Sequence, residues 1–217
     1  MTAGSEFSLA DLFASTHEDV PDVQPNIMTV CTGNICRSPL AETVLATRLA
    51  DLDLRVHSAG TQALVGHGMP TEARALAERN GVSPERTAAH RARLLSETLM
   101  NDADLILTMT AQHSTAAMQL TPRRMHSTFT VREFARLAAS LDDGVLRRIA
   151  RSAGNPRSRF GVLVQAVADQ RGVAPRATGD EDVIDPYRQS FEVYEQSAAQ
   201  LLPALAQVER VVRIALA

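Results

Sequence analysis

Three observations predict a three-layer α/β fold, with a small central parallel sheet of about four strands and helices on both faces. Short strand-like runs alternate with amphipathic helical ones, a pattern that right-handed crossovers turn into a parallel sheet. The run Ala103-Asp104-Leu105-Ile106-Leu107-Thr108-Met109 is apolar almost throughout, as a strand covered on both faces must be. A loop over residues 31–38 follows the first strand, at the end of the strands where such sheets bind ligands.

Residues 1–25 are polar, with Pro21, Pro25 and one short apolar patch (Leu9, Leu12, Phe13). They read as a flexible arm ahead of one domain over 26–217. The first strand is expected over 26–31, then a helix over 39–50 with Leu40, Val44, Leu45 and Leu49 on one face. A second strand is expected over 53–58 and a helix over about 71–80, capped by Asn80-Gly81. A short helix near 94–101 leads into the strand at 103–109; a helix near 111–119, a strand near 125–129 and a helix over 131–140 follow. Residues 141–181 form an extended helical stretch, with helices near 144–151 and 159–170 and a Gly/Pro/Asp-containing linker at 172–183. Over 189–216, Phe191, Tyr194, Ala198, Leu201, Leu205, Val208 and Val212 recur three or four residues apart, one apolar helix stripe. Pro203 is expected to kink or break it.

At 217 residues the chain is long enough for a proper core. No apolar stretch approaches the ~18 residues that cross a bilayer, so no membrane insertion is expected. Five acidic residues and no arginine precede Arg37, unlike a signal or transit peptide. Two cysteines five positions apart are no disulfide framework; a reducing cytoplasm is the expected compartment. A net charge of −3 gives no global attraction to nucleic acid or membrane. All 22 basic residues are arginine, and nine of them lie in 123–159 against Glu133, Asp142 and Asp143. That segment reads as a solvated helical surface, or else as a docking face for an acidic partner.

The chemistry sits in Cys31-Thr32-Gly33-Asn34-Ile35-Cys36-Arg37-Ser38, between the apolar run Ile27–Val30 and Pro39-Leu40-Ala41-Glu42. A strand, a tight loop and a helix start place several backbone N–H groups around one point, backed by the positive end of a helix. Such a cup holds a tetrahedral dianion. Arg37 adds a planar fork suited to two phosphate oxygens. Cys31 in that field is expected to ionise well below the ~8.5 of a free thiol. Gly33 permits a tight or positive-φ turn, Asn34 tolerates the left-handed region, and Ser38-Pro39 fits an N-cap and first helical position. The plainer readings make Cys31 and Cys36 buried apolar residues, a redox pair or half of a metal site. Metal binding needs three or four ligands, no further cysteine exists, and neither a metal nor any cofactor is expected.

With these residues in view, the chain resembles the low-molecular-weight protein tyrosine phosphatases, of the bacterial type. The nucleophile loop matches at each functional position. Ser58-Ala59-Gly60-Thr61 resembles the family's second loop, His90-Arg91-Ala92-Arg93 the stretch supplying a buried histidine, and Asp185-Pro186-Tyr187, followed by Arg188 and Ser190, the acid loop. The resemblance implies that Cys31 attacks phosphorus to form a cysteinyl-phosphate, while Arg37 and the loop amides hold the equatorial oxygens. Asp185 then protonates the departing phenolate and later takes a proton from the hydrolytic water. It also implies that Ser38 bonds the sulfur and that Asn34, Ser58 and His90 brace the loop. Leu64, within the loop 62–68, and Tyr187 would wall the cleft. Asp180, Glu181 and Asp182 read as solvated charges that would raise the proton affinity of Asp185 if close to it. The spacing of Cys36 suggests that it could capture an oxidised Cys31 as a protective disulfide.

Other activities share this scaffold. A protein arginine phosphatase resembles this loop but carries threonine where Ile35 stands; the alkyl group suits an aryl phosphate better. Arsenate reduction with a thioredoxin relay needs downstream cysteines, which are absent after Cys36, leaving a version that uses an external thiol. A silent phosphotyrosine-binding protein would be expected to lose the thiol or the acid. The expected partner is a tyrosine-phosphorylated protein, by family analogy a bacterial tyrosine kinase.

Overall fold

The computed structural model describes residues 24–217. The expected N-terminal arm lies outside the described residues except for Gln24 and Pro25, and the carbonyl of Pro25 already accepts a bond from the N–H of Arg55, 2.8 Å. Strand β1 (Asn26–Cys31) lies inside a parallel sheet of order β2-β1-β3-β4, with β2 at Arg55–Gly60, β3 at Leu105–Thr108 and β4 at Thr128–Thr130. The expected α/β architecture is the one observed.

Alternate residues of the central strands enter two different cores, which is what period-2 side chains covered on both faces require. Ile27, Cys31, Leu105 and Leu107 join the larger cluster. Met28, Val30 and Ile106 join a smaller one with Ala59, Leu95, Met100, Ala103 and Ala117. The larger core lies under α1 (Arg37–Arg48), α2 (Thr71–Arg79), α6 (Val131–Ala139), α7 (Asp143–Ala150), α8 (Pro156–Asp169) and α9 (Phe191–Leu216). The smaller lies under α4 (Glu97–Asp102) and α5 (Ala111–Leu120), while α3 (Pro84–Ala89) packs beside α2. The extended stretch extends the larger core: Leu146, Phe160, Leu163, Val164 and Val167 belong to it, and α7 and α8 pack on each other and on α9.

Several boundaries differ from the sequence expectation. Helix α1 begins at Arg37, not at Pro39, with Cys36 at the N-cap and no side-chain cap. Pro39 then falls at the third helical position, where a missing N–H still costs nothing. β2 starts two residues late because Asp53 lies in the bend after α1 and Arg55 is the first residue in register, opposite Asn26. α4 starts at Glu97, capped by Ser96, since Leu94 bridges to Gly60 instead. The strand expected at 125–129 is a 3₁₀ turn over Pro122–Ser127 with the strand displaced to 128–130, as Pro122 has no N–H for a ladder. α3 was not anticipated: its six residues carry one buried side chain, Thr87. Pro203 breaks nothing. It is exposed on a continuous α9 whose Leu201, Ala204, Leu205 and Val208 are buried on the opposite side, so packing holds the helix together on both flanks.

Candidate active site

The cup forms where β1 ends and α1 begins. The sulfur of Cys31 lies 3.0 Å from Ser38 Oγ, and the N–H of Asn34 points at it from 3.3 Å. The left-handed residue is Asn34, with φ 55°, and not Gly33. Asn34 tolerates that conformation because its short polar side chain finds local partners: Nδ2 donates to Ser38 Oγ at 2.9 Å and to Ser58 Oγ at 2.7 Å, and Oδ1 accepts from the N–H of Arg93 at 2.9 Å. The left-handed turn is thus made at Asn34, which is tied down at both ends of its amide.

A loop from β2 closes one side. Thr61, Gln62 and Leu64 donate their N–H groups to the carbonyls of Cys31, Thr32 and Gly33 at 2.9–3.0 Å. At Gly60 a Cβ would stand 2.4 Å from the carbonyl oxygen of Thr32, so glycine is required by contact there. Behind the loop, His90 Nε2 lies 2.8 Å from the Asn34 carbonyl and its Nδ1 lies 3.7 Å from Glu42 Oε2; Glu42 also accepts from Ser58 Oγ. Ser58 and His90 therefore both reach Asn34.

Arg37 is almost fully buried at 4% exposure. Nη1 donates to the Val183 carbonyl at 3.0 Å, and Nη2 pairs with Asp185 Oδ2 at 2.6 Å. Its Nε is buried and has no partner among the described residues. A buried guanidinium with an idle donor beside a sulfur is an oxyanion site in waiting. The cleft holds about 230 Å³; its floor is Cys31, Thr32, Gly33, Ile35, Cys36 and Arg37, and its walls are Gln62, Leu64, Asp185 and Tyr187. Leu64 and Tyr187 are partly exposed, as befits walls, and Arg188, at φ 61°, lays its guanidinium 5.1 Å from the Tyr187 ring centre.

Two further observations adjust the sequence picture. Asp180 is an exposed charge as expected, but Glu181 and Asp182 are engaged. Glu181 is bound by Arg136, Asp182 accepts from the N–H of Ala111, and the carbonyls of Asp180 and Asp182 are held by Arg132. The residue in contact with Asp185 is the cationic Arg37. Cys36 is buried, its sulfur 3.6 Å from Tyr194 Oη, and burial pushes its thiol up to about 12. Both cysteines are free.

Sequence reasoning missed Glu42, Gln62, His113 and Tyr194. Glu42 was legible, one turn after Ser38 and so on the same helix face. His113 had no signal: its Nδ1 lies 2.8 Å from Thr110 Oγ1 at the start of its own helix, but its Nε2 lies 2.8 Å from Thr32 Oγ1, 81 positions earlier in the chain. Burial holds His113 down to about 4, helped by the charge of Arg37, so it stands neutral between two hydroxyls.

The family model "low molecular weight phosphotyrosine protein phosphatase" matches residues 26–146, more than half of the chain. This chain belongs to that family. Wzb of Escherichia coli K12, a low molecular weight protein-tyrosine-phosphatase, is 42% identical over 97 residues, covering 45% of this chain and 63% of Wzb. The chain thus spans less than two thirds of the length of such curated relatives. Among solved structures, Vibrio vulnificus Wzb in complex with benzylphosphonate superposes with a TM-score of 0.59 at 25% identity, covering 86% of this chain and 98% of that one. The arginine phosphatase YwlE, captured with a phosphorylated active-site serine, does so with a TM-score of 0.61 at 25% identity, covering 87% and 95%. The family match ends at residue 146, before the extended stretch finishes and before Asp185. The low-molecular-weight phosphatase fold is therefore present, and Asp185 lies beyond the matched residues.

Proposed function

We propose that this low-molecular-weight phosphatase hydrolyses phosphotyrosine on proteins through a cysteinyl-phosphate intermediate. The observation that carries the reading is the convergence of Cys31, Arg37 and Asp185 on one cleft, with Arg37 Nε left without a partner. The arriving phosphate takes Arg37 Nε and displaces Asp185 from Nη2, while the cup amides take the remaining equatorial oxygen. Freed from Arg37, Asp185 takes up a proton from solvent; the Cys31 thiolate then attacks in line, the S–P bond forms, the P–O bond to the ring breaks, and Asp185 gives that proton to the departing phenolate oxygen. In the second half Asp185 takes a proton from water, whose oxygen attacks phosphorus and releases the thiolate and inorganic phosphate. Ser38 Oγ and the N–H of Asn34 hold the sulfur in its anionic form in the first step and as it leaves in the second. Asn34, Ser58 and His90 keep the cup open between turnovers.

Ile35, buried and aliphatic at the cleft floor, has no hydroxyl to orient water against a phosphoramidate and packs well against an aryl ring. It favours tyrosine over arginine as the phosphorylated residue, although an arginine phosphatase superposes on this fold as well as a tyrosine phosphatase does. The natural substrate in this reading is a tyrosine-phosphorylated protein, with bacterial tyrosine kinases as candidates, met in a reducing cytoplasm. Under oxidation Cys36 traps Cys31 as a disulfide; with its thiol held up near 12 by burial it acts only once Cys31 is already oxidised.

The test is a panel of phosphotyrosine, phosphoarginine and phosphoserine peptides, plus arsenate with a thiol donor. Phosphate release from phosphotyrosine alone supports the reading; a preference for phosphoarginine or arsenate overturns it. Alkylation of Cys31 with iodoacetamide should be fast and blocked by vanadate or phosphate. A sluggish, unprotected thiol removes the enzyme assignment altogether.

A further inference from the structure

Residues 173–190 contain neither helix nor strand, yet Asp185 must deliver a proton to one oxygen with little positional error. A connection this long ordinarily samples many paths. What confines this one is a pair of arginines on α6, one turn apart and therefore on the same face. Arg136 grips Glu181 with both ends of its fork, Nε to Oε1 at 2.7 Å and Nη2 to Oε2 at 3.1 Å, and its Nη1 donates to the Pro175 carbonyl at 2.9 Å. Arg132 Nη1 donates to the carbonyls of Asp180 at 2.9 Å and Asp182 at 3.0 Å. Between them the two guanidiniums hold the segment at four residues just before it turns into the cleft.

The anchoring continues toward the acid. Asp182 Oδ1 accepts from the N–H of Ala111 at 2.7 Å, Val183 donates to the Met109 carbonyl at 2.8 Å, and Ile184 donates to Gln200 Oε1 at 2.9 Å. Past that point the local ties of Asp185 are Arg37, in the substrate's place, and the N–H of Tyr187, 3.1 Å from Oδ1. The bidentate Arg136–Glu181 pair is about three-quarters buried on both sides, in a geometry that a lysine could not copy.

We propose that Arg132 and Arg136 are positioning residues for the proton donor: they strap residues 175–182 to α6, and so fix where Asp185 stands once phosphate has displaced it from Arg37. The extended stretch lengthens the path from α6 to the acid, and the strap cancels the freedom that this length would introduce. This inference rests on Asp185 being the general acid.

Arg136→Ala, Arg132→Ala and the exchange Arg136→Glu with Glu181→Arg are compared with Asp185→Ala in the full chain. Each is assayed for kcat/KM on phenyl phosphate, whose leaving group needs a proton, and on 2,4-dinitrophenyl phosphate, whose leaving group does not. The strap variants should lose about 10-fold or more on the first substrate and less than about 2-fold on the second, and the exchanged pair should recover most of the loss. A uniform loss on both substrates, or none on either, overturns the strap. Asp185→Ala must show the same selectivity more strongly. If it does and the strap variants do not, the strap alone fails; if it does not, the acid role fails and the strap with it. Should Arg136→Ala not fold, Glu181→Gln removes the same ion pair with less disturbance and is read by the same criterion.

Discussion

The nucleophile cup and the acid loop meet at Arg37 but are built on opposite terms. In the cup, Asn34, Ser38, Ser58 and His90 are buried and bonded to one another, and even the backbone turn is fastened through an asparagine amide. On the acid loop, Asp185 is half exposed, Tyr187 is 38% exposed, and residues 173–190 contain neither helix nor strand. The difference follows from what each must do. A site that stabilises a charge-dispersed phosphoryl group gains most when its donors need no rearrangement at the moment of reaction. A proton donor must leave one partner, serve a second oxygen and then accept a proton back, which requires a side chain with room to move.

The sharpest way to break this comparison is at the sulfur. Cys31→Ser should lower turnover by at least about 10⁴-fold while phosphate affinity, measured by calorimetry, stays within a few-fold. Lost affinity would mean that the cup is not preformed. Next in size, Asp185→Ala should slow phenyl phosphate by roughly 10²–10⁴ and leave activated esters much less affected. Asn34→Ala probes the rigid side: removing the amide that joins Ser38, Ser58 and Arg93 should cost about 10–100-fold in kcat/KM irrespective of leaving group. The two variants should thus differ in selectivity more than in size.

The smallest effect concerns acid stability. His57 is buried with both ring nitrogens unpartnered among the described residues, and burial pushes it down to about 4, as it does His113. Each ring folds neutral but binds a proton near 6.5 when unfolded. Their contribution is complete above pH 6.5 and is lost as pH falls toward 4, by up to about 3 kcal/mol each. Chemical denaturation between pH 7 and 4 checks this, and His57→Leu should flatten the acid limb.

Much of the cup could be read from eight consecutive residues, because a nucleophile, its turn and a helix start leave local marks. Fold class was legible for a similar reason: β3 is apolar but for Thr108, and the stripe on α9 is regular. What escaped is long-range. His113 touches Thr32 from 81 positions along the chain, Tyr194 reaches Cys36 from the far end of the chain, and the arginines that grip Asp180–Asp182 lie some 50 positions earlier. Of the two positions that could take the left-handed turn, Asn34 does so because it has the partners to hold it. Pro203 does not break α9, because the local rule ignores the packing on either side.

The ion pair between Arg37 and Asp185 makes the empty enzyme its own competitor. A tethered carboxylate occupies the guanidinium at the high effective concentration that intramolecular groups enjoy, so a monoanion of ordinary cellular abundance gains little by displacing it. A tetrahedral dianion, reaching the idle Nε and the ring of amides together, has more to offer. On the proposed function, discrimination between phosphate esters and the background of simple salts is therefore exercised before any bond is broken.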